Sequence, residues 1–300
     1  MKCKGLELRH LVVGDIQMRL LEQMTPLVEN TFGSGAEQSI GGVRRILTFR
    51  PLKMDMSLSH RCILTSRTIS SLRRSGRGTS PLDDTRFIGH RRKQIEEIRA
   101  KGIDDLETLQ YFDVVPRHIF IPEVLWPRAY EDAPLPIGFG QTASQPSLQA
   151  YYLQLLSPNS DEKVLEIGTG SGYLTALLAL ASDRVYSIER LSELSKRARK
   201  VLDSLSANNV ALLVGDGTIG WKKFAPFNVI VVSAASPSIP PALVDQLDEG
   251  GRMLIPVGSR ESQELVQIKK TGFVVTEEVV KGAVTFVPLL GRFAWQGEGV

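Results

Sequence analysis

Apolar and polar residues follow two alternating patterns along the second half of the chain. Short apolar runs, each suited to a buried strand, occur at 163–167, 184–188, 210–214, 228–232 and 252–256. Stretches with helical spacing lie between them, at 173–181, 191–207 and, after a proline, around 241–247. Strands that alternate with helices predict parallel strands joined by crossover helices. We therefore expect an α/β fold with a doubly wound, mostly parallel sheet.

The segments that flank this region predict additional elements. Residues 91–101 place Ile95 and Ile98 on one helical face, and Gly102 follows as a left-handed stop. Asp104 or Asp105 is expected to cap a second helix. A Pro-punctuated loop is predicted at 114–127, a helix at 148–156 and further strands at 263–288. We expect a small helical and substrate-loop region at 86–160, and a Rossmann-like domain with a C-terminal β extension at 161–300.

The first 80 residues differ in charge from the rest of the chain. They carry 13 basic and 6 acidic side chains, a balance of +7, whereas residues 81–300 carry 23 and 27, a balance of −4. The pI of about 8.8 is therefore no reason to expect nucleic-acid binding by the folded body. We expect residues 1–85 to form a disordered basic extension. The Arg- and Ser-rich composition of 51–80 also suits a transit peptide, an alternative that requires initiation near Met54 or Met56.

The positions of cysteine and histidine exclude several kinds of site from the second half of the chain. Cys3 and Cys62 are the two cysteines, and the last of the four histidines is His118. We therefore expect no thiol nucleophile, no His-centred triad and no metal site in the α/β region. His118 is expected to be structural. The apolar runs fall far short of the roughly 20 residues that span a bilayer, so no membrane partner is expected.

A glycine-rich loop follows the first strand of the α/β region. Its sequence is Glu166-Ile-Gly168-Thr169-Gly170-Ser-Gly172. Glycines let the chain turn tightly and let a ligand approach the backbone, and the next helix offers unpaired N–H groups at its start. Glu189 closes the second strand, 21 residues after Gly168, where a carboxylate can accept hydrogen bonds from both ribose hydroxyls of a nucleoside. These features predict a nucleotide-type cofactor.

Two cofactors compete for this loop. A dinucleotide fingerprint has the spacing G-x-G-x-x-G, whereas this loop has G-x-G-x-G, with Glu166 two residues before the first glycine. An acidic residue beside the loop suits a cationic, amino-acid-bearing ligand better than a pyrophosphate, which it would repel. The pattern favours S-adenosylmethionine. Asp216, at the end of the third strand, is predicted to accept a hydrogen bond from an adenine amino group, and the alternative is a turn aspartate before Gly217.

Several segments, taken in order, resemble one enzyme family. They are VPRHIFIP (115–122), AYEDAPLPIG (129–138), PLPIGFGQTASQP (134–146), VLEIGTGSGY (164–173), VGDG (214–217), LVDQLDEGGRMLIPVG (243–258) and FVPL (286–289). Over about residues 90–292 the chain resembles the protein-L-isoaspartate O-methyltransferases. The resemblance implies a class I S-adenosylmethionine-dependent methyltransferase that methylates the α-carboxylate of isoaspartyl residues in damaged proteins, a protein-repair reaction.

The resemblance also implies roles for particular residues. In the family the Gln-Thr-x-Ser loop lies over the cofactor, and its serine, matched here by Ser144, is the active-site hydroxyl, with Thr142 beside it. The residues expected to contact the substrate are Gln141, Ala143, Ala234 and Ala235. The residues expected to bind the cofactor are Glu166, Gly168, Thr169, Gly170, Gly172, Glu189, Arg190, Asp216 and Gly217.

The chemistry of the acceptor agrees with this function. A carboxylate is ionised at neutral pH, so its methylation needs no general base, and a region without His or Cys can carry it out. Ser144 is expected to hold the carboxylate in line with the methyl group by a hydrogen bond. It is not expected to act as a nucleophile, because nothing nearby would activate it. Its alternative role is to cap the helix that starts near Pro146.

Two departures from the family pattern leave alternatives open. Ser147 stands where some relatives have His or Tyr, and Leu290 stands where some have Thr. One alternative is a class I methyltransferase with another acceptor, and the other is a cofactor-binding homologue that has lost turnover. We expect a monomer that acts on isoaspartyl peptides and proteins, without nucleic acid or membrane as partner. We expect it in the cytoplasm, or in mitochondria if initiation occurs near Met54 or Met56.

Overall fold

The computed structural model describes residues 85–272 and 274–296, and it contains six α-helices and nine strands within them. The predicted basic extension at 1–85 and the predicted starts at Met54 and Met56 lie outside the described residues, apart from Thr85. No helix in the described ranges combines the length and the hydrophobicity needed to cross a bilayer. The predicted division of the chain at residues 85 and 160 stays a prediction.

Two helices open the described part of the chain, as the apolar spacing predicts. Helix α1 spans Ile88–Ala100, and helix α2 spans Leu106–Val114. Gly102, between them, has a φ of +87°, a left-handed conformation that favours glycine. The carboxylate of Asp105 accepts a hydrogen bond from the Thr108 backbone N–H at 2.9 Å. Asp105, and not Asp104, is therefore the cap of α2.

The predicted loop at 114–127 contains two short 3-10 segments, Arg117–Phe120 and Glu123–Arg128. Prolines punctuate this stretch, and each lacks the N–H that a longer α-helix needs, so the chain makes single tight turns instead. A two-stranded antiparallel hairpin follows, with β1 at Leu135–Gly138 and β2 at Gln141–Ala143. Helix α3 then spans Pro146–Leu156, and its proline stands in the first turn, where a missing N–H costs nothing.

Seven strands form the central sheet. They are β3 (Lys163–Ile167), β4 (Arg184–Glu189), β5 (Val210–Val214), β6 (Phe227–Val232), β7 (Leu247–Gly258), β8 (Gln263–Thr271) and β9 (Val274–Val284). Their order is β5-β4-β3-β6-β7-β8-β9. The first five in this order run parallel, and β8 is antiparallel to both β7 and β9. The order reverses beside β3, and ligands of such sheets bind at the carboxyl ends of the strands at this position.

The connecting helices are α4 (Tyr173–Ala181), α5 (Ser192–Ser204) and α6 (Pro241–Val244). Two predicted bounds were wrong. Helix α5 ends three residues before the predicted residue 207, and Ser206 takes a left-handed φ of +57° just beyond it. Strand β7 begins at Leu247, where a helix was predicted, because Leu247 pairs with Phe227 of β6. Pairing in the sheet overrides the weak strand pattern of the residues that follow Leu247.

Both faces of the sheet are buried, which explains the continuous apolar runs of its strands. Val164 and Val185 point into the hydrophobic cluster that contains α4, whereas Leu165 and Tyr186, one residue further on, point into the cluster on the opposite face. Every residue of α4 is buried. Cores on both faces fix the strand ends, and the loops that leave those ends are held in place.

Candidate active site

A cleft opens at the carboxyl ends of β3 and β4, and the β1–β2 hairpin forms its opposite wall. Including its open mouth, the cleft holds about 830 Å³ of space between protein atoms. Most of its lining comes from four stretches of the chain: the hairpin and Ser144, the glycine loop, residues 188–191 at the end of β4, and residues 287–290 near the C-terminus. The topology therefore produces a cleft where the glycine loop predicts a ligand.

The glycine loop forms one wall of the cleft through its backbone. Gly168 and Gly170 have φ values of +94° and +54°, which residues with a side chain rarely adopt. Both line the cleft, as does Thr169 between them. Gly172 lies at the start of α4 and faces α5, where a Cβ atom would come within 3.0 Å of the Ala198 Cβ. The third glycine therefore allows close helix packing, and the structure does not place it in the cleft.

Glu189 presents a fixed carboxylate to the cleft. Its Oε2 accepts a hydrogen bond from the Gly170 N–H at 2.8 Å, and its Oε1 accepts one from the Leu191 N–H at 2.9 Å. The residue is buried and lines the cleft, together with Arg190. A carboxylate has about four acceptor positions, so two of them remain for a ligand after these bonds. Glu189 thus joins the glycine loop to the end of β4 and can still bind a donor.

Glu166 lies beneath the glycine loop and does not line the cleft. Side chains alternate along β3, so Glu166 points to the face covered by α4. Its Oε2 accepts hydrogen bonds from Thr175 Oγ1 at 2.5 Å and Ser187 Oγ at 2.6 Å, and Ser187 also contacts Thr169 Oγ1 at 2.5 Å. Complete burial raises the pKa of Glu166 to about 7. The structure therefore connects Glu166 to the loop through hydroxyls, without the direct ligand contact expected from the sequence.

Asp216 is also occupied within the protein. Its Oδ1 accepts hydrogen bonds from the Thr218 N–H at 2.8 Å and the Thr218 hydroxyl at 2.7 Å, and its Oδ2 accepts one from the Arg292 N–H at 2.8 Å. Gly217 lines the cleft, whereas Asp216 does not. This is the turn aspartate that the sequence left as the alternative. Asp216 therefore joins the end of β5 to the C-terminal segment.

Most of the predicted substrate residues line the cleft, and one does not. Those that line the cleft are Gln141, Thr142, Ala143, Ser144 and Ala234. Ala235 does not line it, and its backbone instead pairs with the C-terminal segment, with N–H to Val287 O at 2.8 Å and O to the Leu289 N–H at 2.6 Å. Gln145 is the cap residue of α3, so the capping role considered for Ser144 is not what the structure shows.

A fixed carboxylate, a glycine loop and a loop of small and hydroxyl-bearing residues therefore face one another across a single cleft. The chain matches the family model described as "Protein-L-isoaspartate(D-aspartate) O-methyltransferase (PCMT)" over residues 90–294. The chain belongs to this family.

Curated relatives and solved structures agree with that membership. Protein-L-isoaspartate O-methyltransferases of Methanoculleus marisnigri and Syntrophus aciditrophicus are 50% and 45% identical, cover 67% and 71% of this chain, and are matched over 91% and 99% of their own length. A protein-L-isoaspartate O-methyltransferase of known structure aligns with a TM-score of 0.62 at 28% identity, over 68% of this chain and 67% of its own. A putative enzyme of this name from Plasmodium falciparum, in complex with S-adenosyl-L-homocysteine, aligns with a TM-score of 0.60 at 26% identity, over 67% of this chain and 98% of its own.

These matches confirm the predicted family, the α/β class I methyltransferase fold, the methyltransferase activity and S-adenosylmethionine as cofactor. They support the isoaspartyl function over the two alternatives, a methyltransferase with another acceptor and a homologue without turnover. In the part of the chain that the structure describes, no group of three or more His, Cys, Asp or Glu side chains is placed to hold a metal ion.

The two departures from the family pattern occupy different environments. Ser147 is buried outside the cleft, where its N–H and its hydroxyl donate to the two Asp132 carboxylate oxygens at 2.7 and 2.8 Å. Lys101 also contacts Asp132. Ser147 therefore anchors the start of α3 and does not face a substrate in the cleft. Leu290 does line the cleft, so this departure changes its wall.

Arg117 is a functional candidate that the sequence analysis missed. Its guanidinium is fully buried and donates to four backbone carbonyls, those of Ala129 at 2.7 Å, Glu131 at 3.2 Å, Ala133 at 3.3 Å and Ser144 at 3.0 Å. One side chain thus holds the segment before the hairpin and the backbone of Ser144. Arginine is seldom buried, so nothing in the residue type predicted this position.

Proposed function

We propose that this cleft is where the protein methylates the α-carboxylate of isoaspartyl residues in peptides and proteins. One observation carries the proposal: the glycine loop with Glu189 on one side, and Thr142 with Ser144 on the other, line the same cleft. A donor bound on the first side therefore lies next to an acceptor bound on the second. The family membership supports this assignment of the two sides.

The residues on the donor side fit S-adenosylmethionine. Glu189 has acceptor positions left for ribose hydroxyls, and Gly168, Gly170 and Gly217 leave the backbone open to a ligand. When bound, the cofactor supplies an electrophilic methyl group on a positively charged sulfur. Thr169 and Arg190 complete this wall of the cleft. The Glu189 carboxylate, fixed by two backbone N–H groups, orients the nucleoside without having to rearrange.

On the acceptor side, the residues bind and orient a group that is already reactive. The acceptor carboxylate is ionised at neutral pH, so no residue has to remove a proton from it. The Ser144 hydroxyl donates a hydrogen bond to one carboxylate oxygen and leaves the other oxygen for methylation. Gln141, Ala143 and Ala234 line the cleft beside it. Orientation of two reactants in this way contributes up to roughly 7–11 kcal/mol in ideal cases.

Transfer of labelled methyl groups to two peptides tests the proposed function. The peptides have one sequence and carry either an isoaspartyl or an aspartyl residue. We expect methylation of the isoaspartyl peptide only, because the aspartyl peptide has no free α-carboxylate at that residue. Ser144→Ala is expected to lower kcat/KM about 10-fold or more without loss of S-adenosylhomocysteine affinity, and Ser204→Ala, at an exposed serine of α5, serves as the control. Equal methylation of both peptides would contradict the proposal.

We also propose that the catalytic part of the chain is contained in residues 86–300. The family match begins at residue 90, and 71% of this chain accounts for 99% of a curated relative. A protein that starts at residue 86 should keep kcat/KM within about twofold of the full chain, a change that corresponds to less than ~0.5 kcal/mol. Loss of activity on this deletion would contradict the assignment. We also propose that the protein is a monomer and that it is located in the cytoplasm.

A further inference from the structure

A small recess adjoins the cleft on the side of α3. It is lined by Ser144, Leu148, Gln149, Tyr152, Leu174, Ser233 and Phe286. Four of these residues also line the cleft, namely Ser144, Gln149, Leu174 and Ser233. The recess is therefore a continuation of the cleft on the acceptor side. Its free space holds about one water molecule.

Two buried polar groups of the recess lack hydrogen-bond partners. Gln149 is 6% exposed and Tyr152 is 3% exposed, and neither the Gln149 Oε1 nor the Tyr152 hydroxyl has a partner among the residues that the structure describes. A buried polar group left in this state destabilises the folded protein, because it has given up its hydrogen bonds to water. The two residues are three positions apart on α3 and so lie on one face of the helix. Their position in the recess indicates that a small molecule in that space satisfies them.

The two groups are chemically complementary to a water molecule. Burial raises the pKa of the Tyr152 phenol, so it remains a protonated donor throughout the working range of the enzyme. The Gln149 Oε1 is an acceptor. A water molecule between them accepts one hydrogen bond from Tyr152 and donates one to Gln149. Its second hydrogen is then free to point at the cleft.

We propose that Gln149 and Tyr152 hold one ordered water molecule, which donates its second hydrogen to the oxygen of the acceptor carboxylate that does not receive the methyl group. This inference rests on the proposed function. The carboxylate then has two donors, the Ser144 hydroxyl and this water. Gln149 and Tyr152 are positioning residues, because they act on the substrate through the water. The Tyr152 ring, stacked on Phe286 with centroids 6.2 Å apart, fixes the direction of the hydroxyl.

The arrangement predicts an effect on substrate binding more than on the chemical step. The acceptor carboxylate loses its negative charge as the methyl group transfers, so a donor to it is most favourable before the transition state. Removal of such a donor raises KM and does not lower kcat. A residue needed only for folding would change stability and would leave KM for the peptide unaltered.

Tyr152→Phe removes the hydroxyl and keeps the stacked ring. We expect KM for the isoaspartyl peptide to rise about 3- to 10-fold, with kcat and the Kd of S-adenosylhomocysteine each unchanged within about twofold. Thermal stability should change little, because the hydroxyl bonds to the water and to no group of the described residues. An unchanged KM, or an equal loss of S-adenosylhomocysteine affinity, would overturn the proposal.

Tyr151→Phe is the matched control on the same helix. The Tyr151 hydroxyl donates to the Val280 carbonyl at 2.7 Å, away from the recess. This variant should lose stability and keep the KM of the wild type. A rise in KM equal to that of Tyr152→Phe would show that the effect is not specific to the recess, and would overturn the proposal.

Gln149→Met and the double variant test whether one shared water is involved. If each side chain holds the same water, either single change releases it, and the double variant raises KM no further than a single one. Independent effects that multiply in the double variant would overturn the shared water. Methylation of the isoaspartyl peptide by the wild type, measured alongside, separates a failure of this inference from a failure of the proposed function.

Discussion

The two walls of the cleft satisfy their polar groups in different ways. On the donor side, the Glu189 carboxylate is bonded to two backbone N–H groups, and Thr169, Ser187 and Glu166 form a continuous buried hydrogen-bond chain. On the acceptor side, the Gln149 Oε1 and the Tyr152 hydroxyl have no partner within the described ranges. The carboxylate that the donor wall presents to a ligand is therefore held in place before a ligand binds, and the atom left without a partner there, the Glu166 Oε1, lies beneath the loop. The unpartnered groups of the acceptor wall lie beside the cleft instead.

The difference agrees with the chemistry that each wall performs. The same cofactor binds in every turnover, so hydrogen-bond acceptors that are already held in position lower the entropy lost when it binds. Isoaspartyl residues occur in many sequences, and a carboxylate bound partly through water places fewer demands on its surroundings. An enzyme built in this way can be specific for the reacting carboxylate and still accept different residues around it in the substrate.

The largest effect is expected at Arg117, which holds the acceptor wall. Arg117→Met leaves four carbonyls without their charged donor, among them that of Ser144. We expect the free energy of unfolding to fall by about 3–5 kcal/mol, measured by urea denaturation, with partial recovery in Arg117→Lys. Arg128→Met is the control, because Arg128 is exposed and its pair with Glu131 contributes about 0.5 kcal/mol or less. A loss below about 1 kcal/mol at Arg117 would mean that other contacts hold this wall.

The next effect concerns the buried carboxyl beneath the donor wall. Burial raises the pKa of Glu166 to about 7 from an ordinary value of 4.5, and the charge of Glu189 raises it as well. Below pH 4.5 the carboxyl is protonated in the folded and the unfolded chain. Between pH 4.5 and 7 the unfolded chain releases this proton and the folded chain keeps it, so the stability contributed below pH 4.5 is lost as pH rises through 7.

Comparison of the wild type with Glu166→Gln isolates this pH dependence. The difference in their unfolding free energies should change by up to about 3 kcal/mol between pH 4.5 and 7.5, in the direction of a less stable wild type at the higher pH. The groups whose pKa values are lowered, such as Asp132 and Glu162, are common to both proteins and cancel. A difference that does not vary with pH would show that Glu166 stays ionised, and the donor wall would then contain an uncompensated charge.

The sequence predicted the elements and loops that form the two walls better than the buried polar residues beside them, and the reason is physical. Strand β3, helix α4 and the glycine loop have local patterns, and the family resemblance supplied Ser144 and Thr142, which line the cleft with them. Burial of a polar side chain has no local pattern. Tyr152 and Arg117 lie among apolar neighbours and would be expected at the surface or the core edge from their type alone.

Two predicted cofactor residues lie outside the lining of the cleft, for reasons that only the folded chain reveals. Glu166 was expected in the cleft, but the alternation of β3 directs it to the opposite side of the loop. Asp216 was expected to meet adenine, but the C-terminal segment returns to it and its Oδ2 accepts the Arg292 N–H. Each acid lies within two residues of a glycine that lines the cleft. Their orientation depends on which elements pack beside them.

The smallest of these effects is expected at Glu189, and it tests whether the two walls act separately. Glu189→Ala removes an acceptor for the Gly170 and Leu191 N–H groups and for the cofactor ribose. We expect S-adenosylhomocysteine affinity to fall about 30-fold, which corresponds to ~2 kcal/mol, measured by calorimetry. Glu193→Ala is the control, because Glu193 is exposed on α5 and pairs with Lys196. With cofactor at saturation, the KM of the isoaspartyl peptide should stay within about twofold of the wild type, a change of less than ~0.5 kcal/mol. A parallel rise in that KM would mean that the glycine loop transmits the loss to the acceptor wall, so that the walls form one cooperative site.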